Sequence, residues 1–297
     1  MPQKDVIALS LTSEENYAFF ESMRHTNQFL MHVVHGEYDA VVALLKKNSH
    51  LLLHKGRVTD YSGRTFFYIS GFQYALWALD KHMWIRMLDC LPLNETGAKI
   101  KDELYKQYLE LKEKGVSYEL NGERRRENHF DFENTIITAL QTQVDFFDGT
   151  YDQINNWDEI DQQWREGVGS AQKQLPMHVV YWYCGDVPFH PVPDFIEQPS
   201  LKKQFYNWIS NKYENWFHLD SKLGVDFAIY KGYFTLATTP QLGTYSAPIV
   251  HSLEDLLAMQ TLGDVRSADF IELESLLLEP LVFDNQSYTP QSYVNGN

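Results

Sequence analysis

The chain has 297 residues, 44% of them hydrophobic and 14% aromatic, which is enough apolar surface for a core and too much for a disordered chain. Its 40 acidic and 25 basic residues leave a formal charge of −15. Nucleic acid and anionic membrane are poor partners for such a field, because polyanions are gripped by Lys and Arg.

Two cysteines, Cys90 and Cys184, cannot make a disulfide framework or a multi-cysteine zinc site. No stretch reads as a cleaved secretory leader or a membrane span, so a reducing, cytosolic setting is the expectation. In that setting the sequons at Asn94 and Asn285 are chance matches.

In chain order, Thr12 with Glu15 makes a capping box, and Phe19, Phe20, Met23 and Leu30 follow at helical spacing. Residues 27–45 read as a short apolar helix, Gly36 at its end, and a second helix with Val41, Leu44 and Leu45 on one face. The connector Val58-Thr59-Asp60-Tyr61-Ser62-Gly63-Arg64-Thr65 leads to Ser70-Gly71-Phe72-Gln73-Tyr74-Ala75 and then to Trp84 and Leu91, a second helix pair. Beyond Pro92, a polar helix from about Ala98 to Glu113 should stop near Gly115, and Asn121-Gly122 should turn the chain. Arg124-Arg125-Arg126, flanked by Glu123 and Glu127, should lie in solvent.

Ile136, Ile137, Leu140, Val144 and Phe147 define an amphipathic helix ending near Gly149, and Ile160 and Trp164 belong to another, starting around Trp157. Pro176 interrupts it before the apolar run from Val179 to Cys184. Pro188, Pro191, Pro193 and Pro199 make residues 185–200 a connector, since each removes an amide donor and disfavours helix before it. Leu201, Phe205, Trp208, Ile209, Trp216 and Phe217 are spaced as one wide apolar stripe on a helix. Residues 225–239 alternate around Lys231-Gly232 as a small hairpin would. Ser252 caps a helix carrying Leu253, Leu256 and Leu257, and Ser267 caps another carrying Phe270, Leu273 and Leu277.

The expected fold class is therefore all-α with at most one β-hairpin. It divides into an N-terminal helical region (1–92), a central helical region (93–184), the proline-rich connector (185–200), a C-terminal helical region (201–284) and a mobile tail (285–297).

The two N-terminal helix pairs resemble degenerate ankyrin repeats, and Asp60-Tyr-Ser-Gly63-Arg-Thr65 is similar to the Asp-x-x-Gly-x-Thr turn between such repeats. Residues 48–55 and 66–69 exceed a strict repeat of about 33 residues, and a stack needs at least about three units, so the rest of the chain would have to supply a cap. More widely, Tyr61-Ser62-Gly63-Arg64-Thr65-Phe66 with Phe72-Gln73-Tyr74-Ala75-Leu76-Trp77-Ala78-Leu79-Asp80-Lys81-His82-Met83-Trp84 resembles a block of Legionella-type secreted effectors with ankyrin-like regions. So does Leu175-Pro176-Met177-His178-Val179-Val180-Tyr181-Trp182-Tyr183-Cys184, with Phe189 and Pro193-Asp194-Phe195. That resemblance implies synthesis in a bacterial cytoplasm, delivery into host cytosol, and binding to a host protein or another effector. It brings no catalytic motif.

Chemistry is weakly signalled. Cys184 is the candidate nucleophile of a cysteine-dependent enzyme, with His178 and His190 each six residues away as possible bases, but apolar flanks favour a packed thiol. His32, His35 and Asp39 fall near helical spacing, yet Gly36 breaks the face, so no metal is expected. Gly167-Val168-Gly169 lacks the strand and third glycine of a nucleotide loop and reads as a helix break, and no cofactor motif occurs elsewhere.

Most of the large aromatics should be core. Any left exposed, with Tyr74, Trp77, Trp84, Trp208 and Trp216 the candidates, would be binding hot spots. The preferred reading is a non-catalytic protein-binding protein, secreted and acidic, whose charge selects a partner with a basic contact surface. A cap for a larger assembly is a third possibility.

Overall fold

The structure, a computed structural model, describes residues 14–147, 156–218, 220–232, 242–248 and 251–282. The Thr12 cap and the 285–297 tail lie outside the described residues. The protein is not all-α. Two four-stranded sheets are built into a helical body, in the orders β1 (Lys55–Thr59), β2 (Thr65–Ser70), β3 (Val116–Leu120), β4 (Glu123–Glu127) and β6 (Lys212–Asn215), β5 (Gln204–Asn207), β8 (Leu242–Thr244), β7 (Ala228–Tyr230).

The first sheet overturns the repeat reading of the N-terminal region. Helices Glu14–Val34 and Tyr38–Leu45 are followed by strands β1 (Lys55–Thr59) and β2 (Thr65–Ser70), then helices Gly71–Trp77 and Lys81–Leu88. The helix pairs do touch one another, first with first and second with second. However, the segment between them is an antiparallel hairpin whose turn is Asp60 to Arg64. Thr65-Phe-Phe-Tyr-Ile-Ser is rich in β-branched and aromatic residues, which fit a pleated surface better than a helix.

This hairpin continues into β3 (Val116–Leu120) and β4 (Glu123–Glu127) through the Thr65–Glu119 pairing. The sheet therefore joins sequence segments some 50 residues apart, which no stack of nearest-neighbour repeats would do. Asn121 and Gly122 have φ of 54° and 81°, the pair of positive values that a type I′ hairpin turn requires. The three arginines of β4 are exposed on this sheet edge.

The second sheet corrects the C-terminal expectation. Residues 201–217 are not a helix: β5 (Gln204–Asn207) and β6 (Lys212–Asn215) form a hairpin, with Phe205 and Asn207 facing in. The apolar spacing matched a helix by coincidence, while the aromatic content and the Asn211 turn residue, at φ 54°, favour strands. Strand β7 (Ala228–Tyr230) pairs with β8 (Leu242–Thr244), and residues 233–239 of the expected small hairpin lie outside the described residues. The two helices expected after Ser252 are one, His251–Leu278, of 28 residues.

Helix also runs through Gly167-Val168-Gly169, with a π-helical stretch at Gln163–Val168. Gly169 is there for close approach. A Cβ at this position would sit 2.8 Å from the Gly224 Cα and from the Phe227 carbonyl oxygen. The polar helix extends from Glu95 to Lys114 and stops at Gly115, which has φ 64°. One apolar cluster runs through the whole described chain, from Phe29 to Leu277, across the proline-rich segment. Each large side chain sealed in it contributes about 1.5–3 kcal/mol.

At the junction of its parts lies Arg64, only 1% exposed. Its guanidinium carbon is 5.2, 5.7 and 5.4 Å from the ring centres of Trp77, Tyr118 and Phe130. Nη1 pairs with Asp60 at 3.4 Å, and Nη2 donates to the Gln174 carbonyl at 2.8 Å. Glu127 fixes two of the rings, accepting from Trp77 Nε1 at 3.2 Å and from the Tyr118 hydroxyl at 2.6 Å. Arg64→Ala would leave Asp60 buried without its cation, and breaking a buried pair in this way costs roughly 3–5 kcal/mol. Urea unfolding of the variant should show a loss of that size, and a loss below about 1 kcal/mol would refute the role given to Arg64.

Candidate functional site

The residues suspected of catalysis are not brought together. Cys184 ends helix Met177–Cys184, every residue of which is buried. Burial pushes its thiol up to about 12, against a smaller opposing effect of Lys231. A thiol held in that state supplies no thiolate at neutral pH. His178 is also sealed, its Nε2 donating to the Ala78 carbonyl at 2.7 Å, and burial with the field of Arg266 holds its imidazole down at about 3. His190 is half-exposed and pairs with Glu254 at 3.2 Å.

Beneath Cys184 is a buried polar knot that the sequence did not announce. Lys231, fully buried, donates through Nζ to the carbonyls of Trp182 and Gly185, the second at 2.7 Å. Its backbone N–H meets both Asp255 oxygens at 3.1 Å. Burial lowers the lysine to about 7 and raises Asp255 well above the ordinary carboxylate range. Nearby, Gln172 exchanges two hydrogen bonds with the backbone of Ile229, as a neighbouring strand would. These groups tie helix 177–184, strand β7 and helix 251–278 together.

A second knot surrounds Asp80. It caps helix Lys81–Leu88 through the Met83 amide, accepts from the Tyr38 hydroxyl at 2.9 Å, and is raised by burial to about 6. Arg266, fully buried, pairs with Asp269 at 2.6 Å and donates to the Phe195 carbonyl at 2.9 Å. Perturbed values of this kind mark structural ion networks as readily as active sites.

The suspected metal ligands are dispersed. His32 bonds Glu37 at 2.5 Å, His35 stacks on Tyr61 at 4.0 Å, and Asp39 pairs with Arg86 at 3.2 Å. Among the described residues, no group of three or more His, Cys, Asp or Glu is placed to hold a metal.

The aromatic candidates separate cleanly. Tyr74 and Trp77 belong to the Arg64 cluster, Trp84 packs edge-on to Phe270, and Trp216 packs against Tyr183 while its indole N–H donates to the Gln172 carbonyl at 3.3 Å. All four are buried. Trp208 is 59% exposed, and in the same hairpin Ile209 and Tyr213 are 50% and 55% exposed.

Tyr206 stands opposite Tyr213 in the register, the rings edge-on at 5.4 Å. The turn that carries Trp208 and Ile209 is well braced. Trp208 N–H donates to the Gly243 carbonyl at 3.1 Å, Ile209 N–H to the Asn207 side chain at 2.9 Å, and Ser210 Oγ to Glu214. Large apolar side chains are thus presented on a stiff support, which reduces the entropy lost on binding.

The comparisons with known proteins bear on this part of the chain. Residues 135–277 match the family model described as the CBUA0006 C-terminal domain, a span that contains the whole second sheet. The "Uncharacterized protein CBUA0006" of Coxiella burnetii (strain RSA 493 / Nine Mile phase I) is 35% identical over 277 residues, covering 86% of this chain and 76% of that protein. The chain belongs to the CBUA0006 family. No solved structure matches it.

Two measurements follow from the buried groups. With an unfolded imidazole near 6.5 and a folded value of about 3, His178 contributes stability that is present above pH 6.5 and is lost as pH falls toward 3. His178→Gln keeps a donor for the Ala78 carbonyl without titrating. The stability difference between wild type and this variant should therefore shift against the wild type by up to about 1.4 kcal/mol per pH unit below 6.5. A pH-independent difference would refute this. In the native protein Cys90, which is only partly buried, should react with a thiol reagent well before Cys184. Fast labelling of Cys184 would contradict its placement.

Proposed function

We propose that this protein acts by binding another protein, without catalysis, through the aromatic hairpin of β5 and β6. The observation that supports the reading is the set Trp208, Ile209 and Tyr213, each at least half exposed on one braced hairpin. Exposed clusters of this composition are typical of contact hot spots, where truncating one aromatic costs about 2 kcal/mol or more. The burial of Cys184 and the engagement of His178 with the Ala78 carbonyl and of His190 with Glu254 favour this reading over cysteine chemistry. None of the helices, among the described residues, is long and apolar enough to cross a membrane.

The partner, host or bacterial, is proposed to carry a basic contact surface, because a chain of −15 attracts such a surface and repels an acidic one. A relative in Coxiella burnetii supports the further proposal that the protein is a secreted effector acting in host cytosol.

The test begins with co-purification from host lysate and from co-expressed bacterial proteins, followed by surface plasmon resonance on the captured partner. Trp208→Ala with Tyr213→Ala should weaken binding at least about tenfold with the fold unchanged. Raising salt from about 0.05 to 0.5 M should slow association and leave dissociation nearly constant, since screening acts on the encounter. Undiminished binding by the double variant would remove the hairpin from the interface, and a salt-insensitive association rate would remove the electrostatic selection.

A further inference from the structure

On a molecule of net charge −15, a cleft brings three cations together. It lies between helices Tyr38–Leu45 and Lys81–Leu88 and the chain at Ile196 to Gln198, and encloses about 720 Å³, within the range of roughly 300–1,000 Å³ usual for small-molecule sites. Lys46, Lys81 and Arg86 line it, against Asp89 and Glu197, so the lining itself is positive by one charge. His82, also in the wall, is held neutral near pH 7: burial, together with Arg266 and Lys81, brings it down to about 4.

The cations differ in what they have left to offer. Lys81 is committed to Asp269 at 2.5 Å. Lys46 is exposed and makes no ion pair among the described residues. Arg86 is set in place before any ligand arrives. Its guanidinium lies 5.6 Å from the centre of the Tyr38 ring, and Nη2 donates to Gln198 Oε1 at 2.9 Å. Its carboxylate partner Asp39, at 3.2 Å, is 88% exposed, and such solvent-screened pairs contribute about 0–1 kcal/mol and are readily exchanged for a better anion. A guanidinium fixed in this way suits the planar, two-pronged recognition of a phosphate or carboxylate. Val42, Ile85 and Ile196 supply apolar wall beside it.

From this arrangement we infer that the cleft is a binding site for a small organic anion, with a phosphate or carboxylate head held by Arg86 and Lys46 and an apolar body against Val42, Ile85 and Ile196. The site is separate from the aromatic hairpin and does not depend on the partner-binding reading. Glu197 in the wall opposes any anion, so its charge weakens binding.

Isothermal titration of the full chain with phenyl phosphate, benzoate and benzyl alcohol tests the inference. At least one of the two anions should bind and the uncharged alcohol should not, and the preferred anion identifies the head group. Arg86→Ala and Lys46→Glu should each weaken that anion about tenfold, the loss of one charge-assisted contact. Glu197→Gln should tighten it about threefold, a gain that a damaged fold cannot imitate. Lys46 is exposed, so its variant carries the test even where Arg86→Ala unfolds. Binding of neither anion, or equal binding by wild type and Lys46→Glu, overturns the site.

Discussion

The packing of this protein turns on one desolvated cation. Arg64 sits in the turn of the first hairpin, beneath the rings of Trp77, Tyr118 and Phe130, and reaches the carbonyl of Gln174. Through it the hairpin, helix Gly71–Trp77, the β3–β4 ribbon and the start of the Gln174 to Cys184 segment meet at one point. Removing a guanidinium from water is expensive, and the surrounding partners offset that cost only when all of them are in place. The arrangement therefore favours a single packing over near alternatives. Nε of Arg64 lacks a partner among the described residues, so the compensation is not complete.

The same device recurs deeper in the chain. Asp80 with Tyr38, Arg266 with Asp269, and Lys231 with Asp255 each place ionisable groups where water is excluded. Tyr38 with Asp80, Arg266 with the Phe195 carbonyl and Lys231 with Asp255 join separate elements, which a purely apolar core would specify less sharply. Burial displaces the proton affinities of Asp80, Lys231 and Asp255, as it does in structural ion networks. On the surface, a braced aromatic hairpin and a cleft lined by Lys46, Lys81 and Arg86 are the two features on which the proposals rest.

Helices with strong local signals could be read from the sequence. The Asn94 to Gly115 helix carries a side-chain cap at one end and a positive-φ glycine at the other, and the Asn121-Gly122 turn is dictated by its own residues. The strands were harder to read, since their stability comes from distant partners: Thr65 finds Glu119, and Tyr206 finds Leu242. In residues 201–217 the accidental 3.6-residue spacing of Phe205, Trp208, Ile209 and Trp216 outweighed the aromatic-rich, Asn-turned composition that marks a hairpin. The Asp60 turn was legible as a turn, yet its setting in a four-stranded antiparallel sheet was not. For the sites, charge was the misleading quantity: a chain total of −15 gave no sign that Lys46, Lys81 and Arg86 would converge.

If Arg64 couples the two halves of the chain, its removal must be felt on both sides. Hydrogen exchange of Arg64→Met under native conditions measures this most directly, because an apolar side chain of similar length fills the space without the charge. The account predicts lost amide protection both in the hairpin of residues 55–70 and in helix Met177–Cys184, which follows Gln174. Faster exchange confined to the hairpin, with the helix as protected as in the wild type, would contradict it.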